Sequence, residues 1–195
     1  MIKGIIFDLD GTLIQLPINY EIIQTQLKEL FHTSEKLSPL IPTIIKLSKN
    51  DQNKITESFD LICKEEILAS KNLKIMDNTV DVLKFLKSKN LILCLVTMQC
   101  KSALEKILEQ MNISDLFDSV ISRDENYDRF EQIQESLKNT FMSPSEVIVV
   151  GDRIHDVESA KKAGCVPILK INEIKKIPPF SCKIIENLTE LKEMI

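Results

Sequence analysis

The sequence is poor in glycine, and the phosphate-binding motifs that depend on glycine are missing. Only four glycines occur among the 195 residues, and neither G-x-G-x-x-G nor G-x-x-x-x-G-K-[ST] is present. Both motifs use glycine so that the backbone can approach phosphate groups closely. Their absence excludes the dinucleotide-binding fingerprint and the P-loop.

Paired cysteines and long apolar runs are also lacking. The five cysteines are scattered, odd in number and without a C-x-x-C pair. We therefore expect neither a disulfide scaffold nor a zinc site, and we expect Cys100 to be a packed or idle thiol. No uncharged apolar run approaches the roughly 18 residues of a membrane span. Acids at positions 8 and 10 interrupt the first apolar stretch, so no signal-peptide core forms, and we expect a cytoplasmic protein.

An excess of positive charge is absent too. The chain has 25 basic and 29 acidic residues, which gives a formal net charge of −4. Such a protein has no general attraction for nucleic acid or for anionic membrane surfaces, and we expect neither as a partner. If it handles anionic substrates, it needs a local cation to reverse the field around them.

Apolar periodicity alternates between strand and helix patterns over most of the chain. Strands are predicted, two of them weakly, at 2–9, 91–97, 119–122, 147–151 and 166–171. Helices are predicted at 79–89, 101–111, 130–141 and 153–163. This alternation predicts an α/β fold, a doubly wound parallel sheet whose functional groups gather at the carboxyl ends of the strands.

One long stretch, residues 17–74, interrupts the alternation. It contains no convincing strand and reads as helices over about 18–31, 39–48 and 52–70, with Asp51 as a cap for the last. We predict an all-α cap at 17–74 inserted into a discontinuous core of residues 1–16 and 75–195. Segments 13–16 and 71–77 would be its hinges. The lysine-containing segment 170–178 is interpreted as a solvated loop.

Two acidic clusters follow predicted strands. Asp8 and Asp10 come at the end of the first strand, and alternate residues of a strand point to the same side. Asp152 follows the apolar strand 147–151, and Asp156 comes four residues later. Converging carboxylates repel each other and need a cation or a shared proton, and Mg²⁺ suits oxygen ligands. For Asp156 the alternative is a simple acid at a helix N-terminus.

The order of these motifs resembles the haloacid dehalogenase superfamily. The resemblance is carried by FDLDGTL at 7–13, by Thr97 after a strand, by Arg129 and by GDRIHDVESAKKAG at 151–164. The phosphatase branch with an all-helical cap, phosphoglycolate phosphatase-like, is the part of the superfamily that it is most similar to. The resemblance implies a Rossmann-like core and a mobile cap at the position of the helical insertion.

The resemblance also implies roles for the acids. Asp8 would be the nucleophile that forms an aspartyl-phosphate, and Asp10 would be the general acid and then the base. Asp8, the backbone carbonyl of Asp10, and Asp152 would bind Mg²⁺, with Asp156 helping directly or through water.

The phosphate-binding positions depart in part from the family pattern. Thr97 and the backbone amide of Met98 would bind the phosphoryl group, although asparagine is common at the second position. Arg129 would supply the cation that is usually a lysine followed by proline. The alternative for Arg129 is a surface residue in its loop.

These features leave several functions open. The leading hypothesis is a Mg²⁺-dependent phosphatase acting on a small phosphorylated metabolite, as a monomer or homodimer. A sugar-phosphate mutase would use the same groups around the reacting phosphorus, and a catalytically silent regulatory or binding module is the third possibility. Dehalogenation is disfavoured because it requires neither a metal nor the acid at Asp10.

Overall fold

A computed structural model describes residues 1–171 and 181–195, and its central element is a parallel sheet. The strands are β1 (Gly4–Phe7), β2 (Ile14–Gln15), β3 (Lys74–Ile75), β4 (Ile92–Val96), β5 (Ser119–Ile121), β6 (Val147–Gly151), β7 (Val166–Lys170) and β8 (Lys183–Ile185). In the described residues, six of them form one sheet in the order β5-β4-β1-β6-β7-β8. All its neighbours pair in parallel.

The helices follow the predicted positions closely. They are α1 (Tyr20–Phe31), α2 (Leu40–Ser48), α3 (Gln52–Ser70), α4 (Thr79–Ser88), α5 (Lys101–Met111), α6 (Arg129–Thr140) and α7 (Ile154–Lys162). Asp51 caps α3 as predicted, since its carboxylate accepts from the Asn53 amide at 3.0 Å. None of the helices described here combines the length and apolar character needed to cross a membrane.

The sheet is buried on both faces because alternate residues of its strands enter two separate apolar clusters. In β1, Ile5 and Phe7 face a cluster that includes side chains of α4 and α5. Ile6 faces the opposite cluster, which includes residues of α6 and α7. A sheet covered by helices on both sides explains the near-continuous apolar strands. The predicted doubly wound α/β fold is therefore confirmed.

Helices α1 to α3 pack around a third apolar cluster of their own. Its buried members are Ile23, Leu27, Leu37, Ile44 and Ile62. The chain enters this helical segment through β2 and leaves it through β3, and these strands pair antiparallel with Ile14 opposite Ile75. The segments 13–16 and 71–77 are thus held together as a short ribbon.

Two sequence-based expectations are wrong. Cys100 is not an idle thiol, because Cys63 and Cys100 form a disulfide between α3 and the residue before α5. Their separation of 37 residues hides a contact that arises only when α3 packs beside α5. Lys170 is not solvated, because it ends β7 with 4% of its surface exposed. Residues 172–178 of the expected loop lie outside the described residues.

Candidate active site

Asp8 and Asp10 lie where the chain leaves the carboxyl end of β1. The Asp8 amide continues the sheet by donating to the Val150 carbonyl at 2.9 Å. The chain then turns sharply at Gly11, whose φ is 91°. A β-carbon at Gly11 would lie 2.2 Å from Asp152 Oδ2, so only glycine allows this turn to approach the second acidic cluster.

The second cluster begins at the end of β6, the strand next to β1. Asp152 follows β6, and Asp156 lies in the first turn of α7, where its carboxylate accepts from the Arg153 amide at 3.1 Å. Carboxylate oxygens of Asp8, Asp152 and Asp156 all lie within 4.8 Å of one another. Neighbouring parallel strands thus bring acids from distant parts of the sequence to one point.

A buried arginine faces these acids. Arg129, the first residue of α6, donates through Nη2 to Asp8 Oδ1. Its Nε lies 3.0 Å from Asp156 Oδ1, an ion-pair distance without hydrogen-bond alignment. Its Nη1 donates to Gln132 Oε1 at 3.1 Å. The side chain is 5% exposed, so Arg129 is not a loop-surface residue, and its charge partly offsets the buried carboxylates.

Burial shifts the proton affinities of the acids. Burial raises the pKa of Asp8 to about 8, while the Arg129 charge acts in the opposite direction. Burial raises the pKa of Asp152 to about 6, and the charge of Asp156 adds to this rise. Asp152 Oδ1 is buried and has no hydrogen-bond partner in the described residues. A cation bound between these carboxylates would stabilise their charged forms, and it would give Asp152 Oδ1 a partner.

Asp10 stands apart from this three-acid cluster. Its Oδ1 accepts from the Leu16 amide at 2.8 Å. Burial raises the pKa of Asp10, and the Leu16 hydrogen bond only partly counters the rise. A carboxyl group whose pKa is raised keeps its proton to a higher pH than an ordinary aspartate, which suits a group that donates and accepts a proton.

Thr97 and Met98 lie in the loop between β4 and α5, at the same edge of the sheet. The Thr97 hydroxyl and the Gln99 side-chain oxygen are hydrogen-bonded, and the Gln99 amide donates to Thr97 Oγ1 at 3.2 Å. Gln132 Nε2 donates to the Thr97 carbonyl at 2.8 Å. Both glutamines are buried at this site, and sequence analysis missed them because no motif or periodicity distinguishes them from surface residues.

Two further residues at the site were missed. Arg153 follows Asp152 directly, and its Nε lies 4.0 Å from Asp152 Oδ1. Tyr20, the first residue of α1, interacts with Arg153 and with Asp10. Arg153 lies within the motif at 151–164, so the sequence could have identified it as a cation near Asp152. Nothing in the sequence connects Tyr20 with these residues, since the contact depends on how the helical segment lies on the sheet.

Comparison with known proteins supports a single family. Residues 5–170 match the family described as haloacid dehalogenase-like hydrolase. Pyrophosphatase PpaX of Oceanobacillus iheyensis is 26% identical over 181 residues, covering 84% of this chain and 80% of that protein. Phosphoglycolate phosphatase of Aquifex aeolicus is 26% identical over 208 residues, covering 98% and 97%.

A solved structure shows the same fold. The HAD phosphatase from Thermococcus onnurineus superposes with a TM-score of 0.70 at 21% identity, covering 99% of this chain and 97% of that chain. With a family match that spans most of the sequence and acids gathered at the ends of neighbouring strands, the chain belongs to the haloacid dehalogenase-like hydrolase family.

Proposed function

We propose that the chain is a Mg²⁺-dependent phosphatase that hydrolyses a small phosphorylated metabolite through an aspartyl-phosphate. One observation carries the proposal. Three carboxylates lie together, and the buried guanidinium of Arg129 donates to one of them, that of Asp8. Two relatives, one named a pyrophosphatase and the other a phosphoglycolate phosphatase, support the same reaction class.

The described residues fit a magnesium ion. The donors available are carboxylate oxygens from Asp8, Asp152 and Asp156, and Mg²⁺ prefers oxygen ligands. Asp152 Oδ1 is buried and accepts no hydrogen bond from the described residues, so it is available as a ligand at this point. The backbone carbonyl of Asp10 is a further candidate ligand. When bound, the ion would supply positive charge that offsets the repulsion between these acids and a phosphate.

Asp8 and Arg129 would act directly on the phosphorus. An oxygen of Asp8 attacks phosphorus and displaces the alcohol oxygen of the substrate, giving the aspartyl-phosphate. The guanidinium of Arg129 holds Asp8 in place and lies close enough to neutralise charge on the transferred group. The Thr97 hydroxyl and the Met98 amide would bind phosphoryl oxygens from the neighbouring loop.

Asp10 would move the protons. Its raised pKa suits a carboxyl group that first donates a proton to the leaving oxygen. The resulting carboxylate then takes a proton from the water that attacks the phosphoenzyme, which releases phosphate and restores Asp8. Because the Leu16 amide holds one oxygen of Asp10, the other oxygen is left for this exchange.

The helical segment would serve as the cap, and we place it at residues 17–74. Tyr20 at the start of α1 interacts with Asp10 and Arg153, so this segment would form one wall of the site. Opening would admit the substrate and closure would exclude bulk water. We place the protein in the cytoplasm, where small phosphorylated metabolites are available to it.

The test is hydrolysis of p-nitrophenyl phosphate with and without Mg²⁺. We expect phosphate release that depends on the metal and is lost in Asp8→Asn, because an amide oxygen is a poor nucleophile. Asp115→Asn is the matched control, since Asp115 is an exposed aspartate that follows α5 at the opposite end of the sheet. Full turnover in Asp8→Asn would contradict the proposal. Appearance of an isomerised sugar monophosphate on incubation with a sugar bisphosphate, without phosphate release, would instead favour a mutase.

A further inference from the structure

A buried ion pair joins the helical segment to the core, close enough to the site for the Glu66 charge to act on Asp10. Glu66 lies on α3, and Arg123 follows β5. Arg123 Nη1 donates to Glu66 Oε1 at 2.7 Å, and Arg123 Nη2 donates to Glu66 Oε2 at 3.0 Å. The side chains are 1% and 4% exposed, so the pair is removed from water on both sides. Burying two charges is costly unless further hydrogen bonds satisfy them.

Those further bonds are directed at one loop. Arg123 Nη1 also donates to the Met98 carbonyl at 2.6 Å, and the Arg123 amide donates to the Gln99 carbonyl at 3.0 Å. Glu66 Oε2 accepts from the Cys100 amide at 2.9 Å. The Glu66–Arg123 pair therefore fixes three consecutive residues of the loop that carries Thr97 and Met98.

Fixing these carbonyls also orients the polar groups on the other side of the loop. In a trans peptide the carbonyl and the following amide point in opposite directions. Holding the Met98 carbonyl against Arg123 therefore aims the Gln99 amide away from Arg123, and this amide donates to Thr97 Oγ1. Arg123 thus acts on the Thr97 hydroxyl through one peptide group.

The same pair is anchored firmly in α3. Arg123 Nη2 lies 3.4 Å from the Phe59 carbonyl, and its guanidinium lies 5.1 Å from the Phe59 ring centre. Phe59 in turn contacts Tyr127 edge to face, with ring centres 5.6 Å apart. A shift of α3 relative to the sheet would therefore pull directly on the loop at Met98 and Cys100.

We propose that Glu66 and Arg123 are positioning residues, which couple the seating of α3 on the core to the geometry of the phosphate-binding loop at 97–100. The proposal rests on the proposed function, because it assigns the loop to the phosphoryl group. Productive phosphate binding then requires the helical segment to be docked, and an undocked segment leaves Thr97 and Met98 misaligned.

The test separates positioning from stability by removing the pair in two ways. Arg123→Met and Glu66→Met each leave one buried charge without its partner, so we expect a lower Tm and a lower kcat. The double variant has no unpaired charge, so we expect its Tm to recover towards the wild-type value. Its loop has still lost two hydrogen bonds, those made by the Met98 carbonyl and the Cys100 amide, so we expect kcat to stay about ten- to a hundredfold low.

Two controls and one conservative variant accompany this series. Lys3→Met removes an exposed ion pair with Glu146 and should leave kcat and Tm unchanged. All assays are run with and without dithiothreitol, because the Cys63–Cys100 disulfide also holds α3 beside this loop. Arg123→Lys keeps the charge, but one ammonium group cannot reproduce the hydrogen bonds that the two terminal nitrogens of Arg123 make to Glu66 and Met98. We therefore expect an intermediate kcat.

Hydrogen exchange supplies a readout that does not depend on turnover. We expect faster exchange of the amides at 97–100 in the double variant, with α5 exchanging as in the wild type. Recovery of both kcat and loop protection in the double variant would overturn the proposal. If the wild type releases no phosphate, the proposed function fails, and unchanged loop exchange in the variants would still contradict the coupling on its own.

Discussion

At the scale of single residues, the site depends on the shape of Arg129 as much as on its charge. Its guanidinium faces Asp8, Asp156 and Gln132 with three different nitrogens. A lysine carries one ammonium group and could not hold three partners in fixed directions. Arginine at this position thus fixes Asp8, Asp156 and, through Gln132, the carbonyl of Thr97.

Gly11 is the residue whose replacement should disturb the acids most selectively. Gly11→Ala meets two obstacles: a φ of 91° that alanine adopts with strain, and a β-carbon 2.2 Å from Asp152 Oδ2. We expect Mg²⁺ affinity to fall about tenfold or more, because Asp152 must move away from Asp8. The measurement is calorimetric titration with MgCl₂.

Gly164→Ala is the matched control for this change. Gly164 also has a positive φ, of 79°, but an added β-carbon there would lie 3.4 Å from Pro144 and would meet no acid of the described residues within 4 Å. Both variants should lose about 1 kcal/mol of stability or more from backbone strain. Only Gly11→Ala should weaken metal binding. Equal Mg²⁺ affinity in the two variants would show that the turn at Gly11 does not position Asp152.

At this scale the acids and Arg129 could be predicted, whereas the glutamines could not. Asp8 and Asp152 stand at the ends of wholly apolar strands, where a charge has few structural reasons to occur. Gln99 and Gln132 lie in stretches where a polar residue is ordinary. Their burial follows from the packing of α6 against the loop after β4, which no local pattern encodes.

At the scale of elements, α3 is the helix that ties the helical segment to the sheet. Its length and start are predictable, because the apolar spacing and the cap at Asp51 are local signals. The part of the core that α3 contacts is not predictable, because the residues that Glu66 and Cys63 contact lie 57 and 37 positions away in the sequence. The short strands β2, β3 and β8 could not be predicted, because two or three residues are too few to show a periodic pattern.

The Cys63–Cys100 bridge should contribute measurably to stability. Closing a loop of 37 residues restricts the unfolded chain by about 3–4 kcal/mol. We expect reduction, or Cys63→Ser, to lower Tm by several degrees. The measurement is thermal unfolding of oxidised and reduced protein, with mass spectrometry of a non-reduced digest to verify the linked peptides.

Cys94→Ser is the comparison variant for the bridge, because Cys94 is a free cysteine buried in the sheet. It should lose stability equally in oxidising and reducing buffer. A wild-type Tm that does not change on reduction would contradict a stabilising bridge between α3 and the start of α5.

At the scale of the whole molecule, the acidic cluster exists only when the sheet is assembled. Asp8 follows β1, and Asp152 and Asp156 lie beyond position 150, so their proximity depends on the pairing of β1 with β6. That pairing could be anticipated because parallel strands align their carboxyl ends at one edge. The position of the helical segment on the core could not be anticipated, since it depends on buried contacts such as that of Glu66 with Arg123.

Magnesium binding should therefore stabilise the whole fold. The unfolded chain has no such cluster, so the ion binds the native state selectively. At about a hundred times its Kd it adds about 2.7 kcal/mol. For a chain of this length, that raises Tm by roughly 5–11 °C. The measurement is thermal unfolding in MgCl₂ against KCl of equal ionic strength, which removes the general effect of salt.

Asp152→Asn separates site binding from weak association with other acids. The variant keeps its shape but loses one negative charge and one of its two carboxylate oxygens, so we expect most of the Mg²⁺-dependent rise in Tm to disappear. Its Tm without metal should equal or exceed that of the wild type, because one source of repulsion with Asp8 and Asp156 is gone. An undiminished rise in the variant would mean that the ion binds elsewhere.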